Sequence, residues 1–150
     1  MKGSHRVIVE TKKVKYDFTV KRNITILTGD SGSGKTVLID MIREYRRYGS
    51  DSGVFLSCDC ECRTIDDENW MRQIEEISGS IIFIDEGNRF LPSKEFAELV
   101  LKSDNYFVLA VREKLPRCKS SYFSATARTL PKVTKCSPPI TSGILPSFTI

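Results

Sequence analysis

No stretch of these 150 residues approaches the ~20 consecutive apolar positions that a bilayer-crossing helix needs. Nor does the chain open on the basic, apolar and small-residue succession of a secretory leader. A membrane span is therefore not expected, and a cytoplasmic location is. No segment repeats, which sets aside repeat architectures. The cysteines lack the spacing of a framework. There are five, an odd number, and Cys118 and Cys136 form no pair two to four residues apart, so neither a disulfide scaffold nor a four-thiolate zinc site is expected. Cys58, Cys60 and Cys62 alternate, which puts three sulfurs on one side of an extended segment. They are read as structural thiols, with a soft-metal site as the alternative. Histidine occurs once, as His5 in an opening that resembles an appended leader, and receives no function.

What is present is ordinary for a globular chain: 40% hydrophobic and 28% charged residues, and a net charge of +4. That balance tolerates nucleic acid as a partner without demanding it. The length suits one domain, read as residues 1–130. Pro131, Pro138, Pro139 and Pro146 among Ser and Thr mark 131–150 as an irregular tail.

The informative segment follows the β-rich run 23–28. Gly29, Asp30, Ser31, Gly32, Ser33, Gly34, Lys35 and Thr36 form a glycine-rich loop, and Val37, Leu38, Met41, Ile42 and Tyr45 continue it as one apolar helix face. Glycines at 29, 32 and 34 permit backbone torsions and close approaches that a Cβ blocks. Successive amides then converge on an anion at the positive end of a helix. The pattern Gly-x4-Gly-Lys-Thr, in this strand-to-helix setting, resembles the phosphate-binding loop (Walker A) of P-loop NTPases. The resemblance implies a nucleotide site over Gly29 to Val37, with Lys35 reaching the β- and γ-phosphates and Thr36 ligating Mg²⁺.

Residues 80–84 are a continuous apolar run ending in Asp85 and Glu86, as in a strand buried on both faces. It resembles a Walker B motif. By that resemblance Asp85 holds Mg²⁺ and Glu86 orients the attacking water.

Around these motifs the pattern predicts two alternating strands, 6–10 and 14–18, as an antiparallel hairpin. A short strand at 53–57 follows the first helix. Asp66 or Asp67 caps a second helix on Trp70, Ile74 and Ile77, and Ser93 caps a third on Phe96, Leu99 and Val100. A further buried strand runs over 106–111, and a last one over 120–126. The expected fold class is α/β, a three-layer P-loop NTPase fold with a mainly parallel sheet and an N-terminal antiparallel hairpin.

In plan the chain is similar to the P-loop ATPase branch with an additional strand and a catalytic glutamate. That implies that the 106–111 strand is inserted between the other two, with Arg112 at its end as γ-phosphate sensor. Looser resemblances to ABC-type and Zot-like ATPases and to thymidine kinases each lack a part: the Leu-Ser-Gly-Gly-Gln signature, the membrane helix and the paired zinc-ribbon cysteines. An Asn-Lys-x-Asp base-reading motif is also missing, which disfavours GTP. The resemblance thus implies a Mg²⁺-dependent ATPase or ATP-driven switch, with catalytic roles for Lys35, Glu86 and Arg112. Its partner would be a protein, a second copy of the chain (with Arg89 serving a neighbour's site) or nucleic acid. Two alternatives stay open. One is a kinase of a nucleoside or other small acceptor, using Arg112, Lys114, Arg117 and Lys119. The other is a nucleotide-binding accessory protein without hydrolysis, of a phage or mobile element, with Arg43, Arg46 and Arg47 on a phosphodiester backbone.

Overall fold

Alternation builds the first two strands. In β1 (His5–Glu10) Val7 and Val9 are buried, and in β2 (Lys15–Val20) Tyr16, Phe18 and Val20 are. Antiparallel pairing sets Val7 against Phe18 and Val9 against Tyr16, an apolar patch on the face that also carries His5 opposite Val20. The connection is tied locally: Thr11 donates its amide to the Val14 carbonyl at 2.8 Å, and its hydroxyl accepts from the amides of Lys13 and Val14. The computed structural model describes residues 3–21, 23–29, 34–91, 93–112, 127–129 and 147–149.

Two sheets result. The first has the order β4-β1-β2-β9, with β4 (Phe55–Ser57) antiparallel to β1 and β9 (Ser147–Thr149) parallel to β2. The second is parallel throughout, in the order β5-β6-β7-β3-β8. Its strands are β3 (Ile24–Gly29), β5 (Glu61–Thr64), β6 (Ser80–Asp85), β7 (Tyr106–Arg112) and β8 (Ala127–Thr129). Ile81 to Ile84 and Tyr106 to Ala110 are all buried, as a strand covered on both faces must be.

On one face of the parallel sheet Ile81, Phe83, Tyr106 and Val108 meet both α1 (Lys35–Tyr48) and the apolar face of the hairpin. Phe18 and Phe83 make an edge-to-face contact at 6.1 Å. On the other face Ile82, Ile84, Phe107 and Leu109 meet α2 (Trp70–Glu76) and α3 (Lys94–Lys102). There Trp70 stacks on Phe90 at 4.8 Å, and Phe96 touches Trp70, Phe90 and Phe107. No helix among the described residues is long and apolar enough to cross a membrane.

This architecture corrects the expected three-layer P-loop fold. The hairpin does not extend a single parallel sheet; it founds a separate four-stranded one, and the described residues contain three α-helices. Coverage explains why. Five strands spaced ~4.8 Å apart make a face roughly 20 Å wide, whereas one helix covers ~10 Å. With only α1 on that side, the second sheet shields the remainder, and its own apolar face is buried in doing so.

The strand expected at 53–57 moves as well. It runs antiparallel on β1, and the parallel sheet instead takes β5, which includes the last of the three alternating cysteines, Cys62. Phe55 is 59% exposed while Cys62 is 1% exposed, so the thiol, a small hydrophobe, fills the core position. Neither Asp66 nor Asp67 caps α2. Asn69 does so from a left-handed conformation (φ 55°) without a side-chain bond, and Asp67 accepts the Arg89 amide at 2.8 Å. Ser93 does cap α3, accepting from the Phe96 amide at 3.2 Å. The strand expected at 120–126, and the 131–150 tail apart from β9, lie outside the described residues.

Candidate functional site

Register brings three strand ends to one rim. Leu27 of β3, Ala110 of β7 and Asp85 of β6 lie in one row across the sheet, and Gly29 faces Arg112 two residues further on. All three strands run the same way, so this is a carboxyl-end rim, where open parallel sheets present their ligand crevices. β7 lies between β3 and β6, which separates the ends of those two by two strand spacings, roughly 10 Å.

Within β6 the side chains alternate. Ile82 and Ile84 face α2 and α3, and Ile81 and Phe83 face α1. Asp85 continues the second series, so it falls on the α1 side. It is half-buried and built into its turn: its Oδ1 accepts the Glu86 amide at 2.8 Å, and its carbonyl accepts from both the amide and the side chain of Asn88. Glu86 follows, also half-buried.

Across the rim, α1 begins at Lys35, which is 8% exposed, while Thr36 and Val37 face solvent. The helix start has no side-chain cap and no acid in its first turn, so its positive end carries no negative side chain of its own. Gly34 precedes it at φ 95° and ψ 5°, a left-handed conformation. The Gly34 carbonyl accepts from the Leu38 amide at 3.0 Å and from the Tyr16 hydroxyl at 2.8 Å. A Cβ at position 34 would lie 2.7 Å from that hydroxyl oxygen. Burial pushes the Tyr16 hydroxyl up to about 12, so at neutral pH it is a donor.

Of the residues expected to form the site, Gly29 and the backbone of Arg112 pair at the ends of β3 and β7, Asp85 ends β6 with Glu86 following it, and Gly34, Lys35, Thr36 and Val37 lie at the start of α1, the helix that follows β3 in the chain. Asp30, Ser31, Gly32 and Ser33 lie outside the described residues, as do Lys114, Arg117 and Lys119. Two of the α1 arginines are held by acids: Arg43 donates to Asp40 and Asp66, and Arg46 to Glu61. The Glu61 carboxyl lies below its usual range because Arg63, and then Arg46, favour its charged form.

Sequence reasoning missed Tyr16. The signal was there: a tyrosine on the inward face of a half-buried strand must find a partner for its hydroxyl. Nothing in the sequence said that the partner was a loop carbonyl 18 residues away. Comparison of the chain with protein-family models, with curated proteins and with solved structures returned no match.

Proposed function

We propose that the chain binds a magnesium–nucleoside triphosphate, ATP in preference to GTP, at this rim. It then works as an ATPase or ATP-driven switch with a protein or nucleic-acid partner. The observation that carries the reading is the strand order: β3, which precedes the helix that the buried Lys35 opens, and β6, which ends in the half-buried Asp85 with Glu86 next, run parallel and are separated by β7 alone. One strand between them is also the spacing that resemblance to the additional-strand ATPases implies.

The donor set fits the ligand. Polyphosphate calls for cationic and N–H groups, which Lys35 and the amides at the start of α1 supply. A hard divalent cation calls for oxygen, which Thr36 and Asp85 supply. Bound magnesium contributes neutralisation of charge on the phosphate oxygens. Among the chain's own groups, Lys35 balances charge that accumulates on the terminal phosphoryl oxygens. Glu86, one residue beyond Asp85, orients a water molecule for in-line attack. Arg112, whose backbone pairs with Gly29, senses the same phosphate. Tyr16 acts indirectly, by fixing the Gly34 carbonyl and with it the angle at which α1 leaves the loop.

Calorimetric titration with ATP, ADP and GTP, with and without Mg²⁺, tests the proposal. One-to-one, magnesium-strengthened ATP binding is expected, with GTP weaker. Hydrolysis by a Glu86→Gln variant should fall by ~10²-fold or more while binding is retained. Absence of ATP binding by the folded chain would overturn the reading.

A further inference from the structure

A second group of chemically active side chains lies away from this rim, in the mixed sheet. The β1–β4 register pairs Ile8 with Ser57. Continued for three residues, it brings His5 opposite Cys60, so the first residue of β1 meets the bend that joins β4 to β5. One donor atom from each of His5, Asp59 and Cys60 lies within 4.8 Å of the other two. His5 Nδ1 stands 2.8 and 2.9 Å from the two Asp59 carboxylate oxygens. Cys58 adjoins this group on the side of Asp59 and Cys60, its Sγ being 3.6 Å from both Cys60 Sγ and Asp59 Oδ1, and a swing of its side chain toward His5 would make it the fourth donor.

We propose that His5, Cys58, Asp59 and Cys60 form a zinc site independent of the nucleotide site. Two thiolates on one tetrahedral zinc, each ~2.3 Å from the metal, stand ~3.8 Å apart. The 3.6 Å between Cys58 and Cys60 is therefore close to a ligand edge. The His5–Asp59 contact has only to open by about half an ångström to become another, for donor distances of ~2.0 Å. Two sulfurs with an imidazole and a carboxylate match a borderline-soft divalent ion. A site for a hard cation would be all oxygen, and one for copper(I) would favour sulfur without carboxylate. His5 also makes an edge contact with the Tyr106 ring at 5.4 Å, which holds the imidazole in place before any ion arrives. Uptake of Zn²⁺ displaces the two thiol protons to solvent, so affinity rises with pH.

The test uses the full chain, reduced and stripped with chelator. Zn²⁺ is titrated against a chromophoric chelator, and Co²⁺ serves as a spectroscopic probe. One zinc per chain is expected, together with a cobalt spectrum that shows thiolate charge transfer and tetrahedral coordination. His5→Ala should weaken zinc binding by at least ~10-fold, and C58S/C60S should abolish the charge-transfer band. Lys35→Ala should leave both readouts unchanged. The proposal is overturned if the reduced wild-type chain takes up no zinc, if its cobalt complex lacks thiolate bands, or if folded C58S/C60S binds zinc as tightly as wild type. The wild-type cobalt spectrum decides alone should either variant fail to fold.

Discussion

Gly34 carries two demands that no other residue type meets together. Its φ of 95° is left-handed, and a Cβ there would press on the Tyr16 hydroxyl at 2.7 Å. Gly34→Ala should therefore cost about 1–3 kcal/mol, from the left-handed backbone and the displaced tyrosine. Tyr16→Phe removes the clashing oxygen along with one hydrogen bond, worth ~0.5–1.5 kcal/mol. The two substitutions are coupled: in urea unfolding, Gly34→Ala should cost less in the Tyr16→Phe background than alone. Additive effects would mean that the hydroxyl does not set the loop. The same hydroxyl gives an alkaline signature. Its ionisation is raised from 10.0 to about 12 in the folded chain. The folded state therefore holds the proton more tightly than the unfolded state. The associated stability, ~2–3 kcal/mol, is fully present below pH ~10 and is lost as pH rises through ~12. Tyr16→Phe should flatten that limb of the stability profile.

At the scale of elements, the aromatic cluster under α2 and α3 ties both helices to the parallel sheet. Phe96 is fully buried against Trp70, Phe90 and Phe107. Phe96→Ala should cost ~3–5 kcal/mol. Trp70, the single tryptophan, reports the loss by its fluorescence. The exchange of roles between β4 and β5 makes a sharper contrast. Phe55→Lys should be nearly neutral, within ~0.5 kcal/mol, whereas Cys62→Lys should prevent folding. The opposite ranking would return β4 to the parallel sheet. These elements also show what the residues disclosed. The buried runs at 80–84 and 106–110 and the Ser93 cap were legible, because continuous apolar strands and a side-chain cap are local signals. The pairing of β4 was not. The short apolar run Val54, Phe55 and Leu56 says that it is extended, but its partner depends on which sheet lacks cover. Cys62 was hidden for a related reason: its alternation with Cys58 and Cys60 suggested chemistry, and one of the three is core. At the site, Lys35, Asp85 and Glu86 were visible as motifs, while the role of Tyr16 depends on a contact between a strand and a distant loop carbonyl that no local pattern encodes.

For the whole molecule, the parallel sheet is shared by two cores: Ile81, Phe83 and Val108 serve one face, and Ile82, Phe107 and Leu109 the other. Neither core can be lost without exposing strands that hold the other. Unfolding followed by Trp70 fluorescence and by far-ultraviolet circular dichroism should therefore give coincident transitions. Separate midpoints would mean that the mixed sheet and α1 melt apart from α2 and α3. That shared sheet also joins the two halves of the proposed nucleotide site, because Lys35 opens a helix of one layer and Asp85 ends an interior strand. The most direct test is the ATP affinity of Lys35→Ala, measured calorimetrically with Mg²⁺ beside the wild-type chain and with Trp70 fluorescence as the check on folding. A loss of at least ~10-fold is expected, that of a charge-assisted contact worth ~1.5–3 kcal/mol. An unchanged affinity in a folded variant would contradict it.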